Sequence, residues 1–146
     1  ASSSEEAPTD DYDARVRATR QIVARRGQPK FRAGLLSAYA GRCAVTGANT
    51  EAVLEAAHIR PYRGPESNVM PNGLLLRADI HTLFDLALLA IDPASHTVAI
   101  SKTLAGSSYV EFDGALLGIP TSEEERPSLG ALQSAWNRFL VAEMAR

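Results

Sequence analysis

Residues 55–85 hold three short motifs in sequence: Glu55-Ala-Ala-His58-Ile-Arg-Pro61, then Asn72-Gly-Leu-Leu-Leu76, then His81-Thr-Leu-Phe-Asp85. The first closes an apolar run with an imidazole and the second opens another. Flanked by turn residues, they predict two short strands, Val53–Ile59 and Leu74–Leu76. Between the strands, residues 60–72 include Pro61, Gly64, Pro65, Asn68 and Pro71, which make a loop of the length that tends to carry function. The third motif falls in a helix expected from Ala78 to Leu88, where His81 and Asp85 are four apart and share a face. An imidazole and a carboxylate so placed can chelate one divalent cation. The mixed nitrogen and oxygen set suits Mg²⁺, Mn²⁺, Zn²⁺ or Ni²⁺ better than Ca²⁺, although the same pair also serves as a surface hydrogen bond.

Working outward, a helix is expected from an Asp13 N-cap to Arg26, ending at Gly27, with Val16, Ile22 and Val23 facing inward. A second starts near Pro29, carries Phe31, Leu35 and Tyr39 on one face, and ends at Gly41. Cys43–Val45 reads as a short strand before the turn Thr46–Thr50. Downstream, Leu88–Asp92 and Thr97–Ser101 form a hairpin, with His96 solvated in its turn. Tyr109–Phe112 and Ala115–Leu117 form a weaker hairpin about Asp113-Gly114. A final helix begins near Ser128, with Leu129, Leu132, Trp136, Phe139 and Leu140 on its buried face. Asp79 reads as an N-cap, away from the His81 face.

The whole chain has 146 residues, 45% hydrophobic and 22% charged, and one cysteine, Cys43. That suits one globular domain, residues 14–146, and excludes an internal disulfide or a thiolate-rich zinc site. The longest apolar run, Leu86 to Ile91, is too short to cross a bilayer, and no secretory leader opens the chain, so a cytoplasmic location without membrane contact is expected. Residues 1–13 carry five acids and no base and read as a flexible acidic tail or linker. Because the chain opens on Ala, it reads as a piece of a longer protein. Residues 14–50 carry eight bases and no acid. Such a block is either a solvated helix face or an electrostatic footprint for phosphates, here from Arg20, Arg25, Arg26, Lys30 and Arg32, with Arg60 and Arg63 after the imidazole.

The order of the motifs resembles the HNH endonucleases, a ββα-metal nuclease group, with the three letters falling on His58, Asn72 and His81. The fuller string, from Arg42-Cys-Ala-Val-Thr-Gly47 through Ala57-His-Ile-Arg-Pro61 to His81-Thr-Leu-Phe-Asp85, looks like the zinc-free branch found in bacterial restriction and defence proteins. The resemblance implies an α+β fold with a ββα core over about residues 42–92, flanked by terminal helices and short hairpins. It further implies a DNA endonuclease that hydrolyses phosphodiester bonds with one divalent cation, Mg²⁺ foremost. In that scheme His58 is the general base, Asn72 ties the loop beside it, and His81 and Asp85 hold the cation. A target-recognition domain, covalently linked or associated, is the expected partner besides DNA, and double-strand cleavage would need a homodimer or two sequential nicks.

This chain departs from that pattern at two places. Many relatives carry a ligand immediately before the base, where this chain has Ala57. Glu55, two residues earlier on the same side of the strand, is the substitute ligand to weigh against a plain strand carboxylate. The paired cysteines of zinc-braced relatives correspond to Cys43/Thr46 and Arg77/Ile80, so no structural zinc is expected, apolar packing takes over the bracing, and Cys43 is a small core residue. The rival readings are a non-catalytic DNA-binding module, an RNA-cleaving toxin, and a small-molecule metallohydrolase using His58, His81 and Asp85.

Overall fold

The computed structural model describes residues 10–146. A two-stranded antiparallel sheet lies at its centre: β1 (Leu54–His58) pairs with β2 (Gly73–Arg77), setting Ala56 opposite Leu75 and His58 opposite Gly73. Both faces are covered, so the first four residues of each strand are buried. On one face lies α2 (Pro29–Ala38), opened by Pro29 and capped by Gln28, with Phe31 and Leu35 buried. The close approach of this helix demands Gly73, because a Cβ there would meet Phe31 Cζ at 2.7 Å. The other face receives α3 (Ala78–Asp85), which buries Ile80, His81, Leu83 and Phe84. Leu54, Leu74, Leu75, Leu76 and Ile80 are fully enclosed, each contributing about 1.5–3 kcal/mol by burial.

A hairpin of β3 (Leu89–Asp92) and β4 (Thr97–Ile100) follows, and α4 (Leu129–Met144) packs on β3 with Ala131, Leu132, Ala135 and Phe139 buried. Ser128, near which the last helix is expected to begin, caps α4. The α+β class and the strand–loop–strand–helix core therefore stand. No helix among the described residues is long and apolar enough to cross a membrane.

Several local expectations are corrected. The first helix, α1, spans Asp11–Arg25 and is capped by Asp10 rather than Asp13, so residues 10–13 belong to it and not to a tail; residues 1–9 lie outside the described residues. None of its residues is buried, and Ile22 and Val23 are 55% and 52% exposed, because no element among the described residues covers them. Cys43–Val45 is a turn, closed by Gly47 N–H to Cys43 O and Cys43 N–H to Ala48 O, with Ala44 N–H docked on Leu75 O. The helix expected to Leu88 stops at Asp85: Leu86 caps it, Ala87 adopts φ 57°, and Leu88 N–H reaches back to Leu83 O. Ser107 winds Ser108–Phe112 into a 3₁₀ turn, leaving Leu116 bridged to Thr97 of β4 instead of to a hairpin partner. Leu129 and Leu140 of α4 are exposed, Trp136 is half-buried against Phe139, and His96 is half-buried with φ 57°.

Polar contacts as well as apolar packing brace the positions around Cys43 and Arg77, where the sequence reading expects apolar packing in place of a zinc. Cys43, 3% exposed, accepts the N–H groups of Thr46 and Arg77 on its sulfur. Asp79 is not an N-cap; it pairs with Arg77 through two hydrogen bonds of 2.7 and 2.9 Å and accepts the Tyr109 hydroxyl at 2.7 Å. The Arg77 bonds hold the Asp79 carboxyl below the usual carboxylate range, and the bond to Asp79 pushes the Tyr109 hydroxyl up.

Candidate active site

β1 and α3 bring the two histidines to one cleft. In a two-stranded sheet β1 keeps an open edge, and beside it runs a cleft of about 490 Å³ lined by Arg25, Ala56, His58, Tyr62, His81, Asp85 and Arg138, among others. The junction between α1 and α2 is stapled to this edge: Ala56 N–H donates to Arg26 O at 2.8 Å, and Gly27, at φ 103°, sits where a Cβ would meet that of Ala56 at 2.9 Å.

His58, half-buried at the end of β1, is fixed by neutral contacts. Phe31 stacks on the ring at 4.9 Å and 17°, and Tyr62 meets its edge at 5.5 Å. Nε2 bonds Asn68 Oδ1 at 2.7 Å, which leaves Nδ1 as the basic nitrogen of the neutral ring. Asn72 bonds across the loop that follows β1. Its Oδ1 accepts Arg60 N–H at 2.8 Å, and its Nδ2 donates to Arg60 O and Ser67 O at 3.2 and 3.1 Å.

His81, 5% exposed, is fixed by charged groups. Its Nδ1 donates to Glu55 Oε1 at 2.6 Å, and its Nε2 lies 3.4 Å from Asp85 Oδ2. With Nδ1–H given to Glu55, a neutral imidazole turns an Nε2 lone pair toward the carboxylate, an opposition that a shared cation relieves. The donor set therefore fits a divalent cation. Among the described residues no three His, Cys, Asp or Glu side chains form a ready cage, so His81 and Asp85 would be its protein ligands, with water and substrate oxygens completing the shell. Glu55, buried at 5%, bonds the opposite nitrogen of the ring, His81 Nδ1. Ala57 is fully buried.

The arginines divide differently from the sequence expectation. Only Arg25 of the basic block lines this cleft, donating from Nη1 and Nη2 to Asp85 Oδ2 at 3.1 Å. Arg26 and Arg32 are spent on backbone carbonyls, Arg26 on Ala52 O and Arg32 on Leu54 O and Glu51 O, where they hold the approach to β1. Lys30 and Arg20 are exposed. Arg60 and Arg63 line a second cleft of about 390 Å³ with Asn72 and Ser128, and the Arg60 guanidinium lies over Gly130. Sequence reasoning missed Asn68, the aromatic clamp of Phe31 and Tyr62, and Arg138, which donates to Phe84 O at 3.2 Å beside the cleft. Asn68 was visible as a side-chain amide within the loop; the others had no local signal.

Residues 43–92 match the family model described as HNH endonuclease. Among solved structures the chain is similar to a modification-dependent TagI restriction endonuclease, with 22% identity and a TM-score of 0.50, over 72% of this chain and 35% of that one. The likeness is one of fold, and this chain spans about a third of that protein. No curated protein matches the chain.

Proposed function

We propose, on the premise that residues 43–92 form an HNH endonuclease core, that this chain is a divalent-cation-dependent DNA endonuclease, the cleaving part of a restriction enzyme whose target is chosen elsewhere. The observation that carries this reading is the single cleft lined by His58, His81 and Asp85 together. Their chemistry is complementary: one ring is prepared as a base and the other as a ligand.

His58 takes a proton from the attacking water at Nδ1, while Asn68 holds Nε2–H and thereby the tautomer. Phe31 and Tyr62 limit ring rotation. Asn72 keeps the loop closed behind the base and does not touch the substrate. His81 and Asp85 would hold one cation, Mg²⁺ foremost, and the Glu55 bond to Nδ1 would keep the His81 ring oriented for it. When bound, such an ion neutralises charge developing on the phosphate and on the departing 3′ oxygen. The products then carry 5′-phosphate and 3′-hydroxyl ends. That the chain spans 35% of the similar restriction endonuclease leaves room for target selection by a further domain.

The test is nicking of supercoiled plasmid with Mg²⁺, Mn²⁺ or EDTA. Cation-dependent nicking, abolished in His58→Ala, is expected. Nicking that persists in EDTA would contradict the reading, as would cleavage confined to RNA.

A further inference from the structure

We infer that Arg25 is the resident cation of this site: in the free protein its guanidinium occupies the seat of the divalent ion and has to leave Asp85 before that ion can bind. The inference deepens the proposed function and rests on its assignment of His81 and Asp85 as cation ligands.

Three observations carry it. First, both terminal nitrogens of Arg25 donate to one oxygen, Asp85 Oδ2, at 3.1 Å, and this is the oxygen that faces His81 Nε2 at 3.4 Å. Two N–H groups already use its lone pairs, and a guanidinium and a divalent ion on one oxygen repel each other strongly. Second, Arg25 Nε lies 3.5 Å from Glu55 Oε1, so the guanidinium bridges the two carboxylates that flank His81. It balances charge the cleft would otherwise carry bare. Third, the chain directly after Arg25 is stapled to β1 through Arg26 O and Gly27, whereas its side chain is 42% exposed at the cleft. A charged side chain on an anchored backbone can point inward to the carboxylates or outward to a phosphodiester in the cleft, where arginine binds well.

The consequence is coupling. A phosphate that draws the guanidinium outward frees Asp85 for the cation, and a cation on Asp85 frees the guanidinium for the phosphate. By linkage each ligand tightens the other, so the site assembles fully only on DNA. The basic block at residues 14–50 thus contributes one arginine directly to the reaction centre.

The experiment is calorimetric titration of Mn²⁺ into the whole chain without DNA. Arg25→Met is expected to bind Mn²⁺ about tenfold more tightly than wild type, within the usual range of such couplings, while Arg20→Met matches wild type and Asp85→Ala loses binding. In a His58→Ala background, duplex DNA is expected to tighten Mn²⁺ binding severalfold, and adding Arg25→Met is expected to remove that gain. Circular dichroism checks folding. Should Arg25→Met unfold, Arg25→Lys, which lacks the two-nitrogen grip, is expected to bind Mn²⁺ more tightly than wild type. Equal or weaker Mn²⁺ binding by the Arg25 variants, with Asp85→Ala still defective, overturns the inference and leaves the ligand assignment standing. Wild-type affinity in Asp85→Ala overturns both.

Discussion

On one side of the cleft His58 is held by neutral groups, with Asn68 on Nε2, Phe31 against the ring and Asn72 closing the loop behind it; on the other, His81 is held by charge, with Glu55 on Nδ1 and Asp85, itself paired with Arg25, facing Nε2. Under the proposed function, the difference follows from what each ring is asked to do. A base has to keep one lone pair aimed through many turnovers, and hydrogen bonds and stacking hold the ring for that. A ligand has to accept a cation, and surrounding carboxylates attract one, but they need a counter-charge when the cation is away. On that proposal the base side is prepared in advance, and the ligand side is exchangeable.

Four substitutions sharpen or break that contrast. The largest expected effect is on the charged side. Glu55→Gln, which removes the orienting charge on His81, is expected to weaken Mn²⁺ binding about 10–100-fold in calorimetry. Unchanged affinity would remove Glu55 from the ligand side. Asn72→Ala leaves an N–H and two carbonyls without their partner and is expected to cost about 1–3 kcal/mol in urea unfolding, with the cleavage rate reduced and DNA affinity retained. A wild-type rate would show that the loop does not position His58. Asn68→Ala is expected to slow single-turnover cleavage about tenfold, since the base loses its tautomer lock, while Mn²⁺ affinity stays the same. A matching loss of Mn²⁺ affinity would mean the two sides are not separate.

The smallest effect on the cleft comes from a charged cluster that does not line it. Burial pushes the Glu143 carboxyl up, but bonds from Ser101, Arg146 and the Lys102 N–H outweigh that and hold it at about 2, against 4.5 for the ordinary group. Its folded value lies below its unfolded one, so its stabilisation is complete above pH 4.5 and is lost as pH falls through about 2. Glu143→Gln is expected to lower stability by about 2 kcal/mol at pH 7, with the gap to wild type closing by pH 2, and to leave cleavage unaltered. A gap that stays constant with pH would contradict the ionic account.

The parts legible in the sequence are those with local signals. Pro29 and Gly27 mark a helix start and a turn, two apolar runs mark β1 and β2, and the four-residue spacing of His81 and Asp85 places both on one helix face. What stayed hidden depends on partners far along the chain. Periodicity in α1 shows which side is apolar but not whether anything covers it, and nothing does among the described residues. Composition marks Arg25, Arg26 and Arg32 as equivalent bases. The fold gives one to a carboxylate sixty residues away and the others to backbone carbonyls near β1. Glu55 reads as a strand carboxylate until α3 lays His81 over it.

The most direct test of the account measures two quantities on His58→Ala and Asp85→Ala: plasmid nicking with Mg²⁺ or Mn²⁺, and Mn²⁺ affinity by calorimetry. His58→Ala is expected to lose nicking by at least about 100-fold while binding Mn²⁺ as wild type does, and Asp85→Ala is expected to lose both. Loss of Mn²⁺ affinity in His58→Ala, or retention of it in Asp85→Ala, would contradict the division of the cleft into a base side and a ligand side.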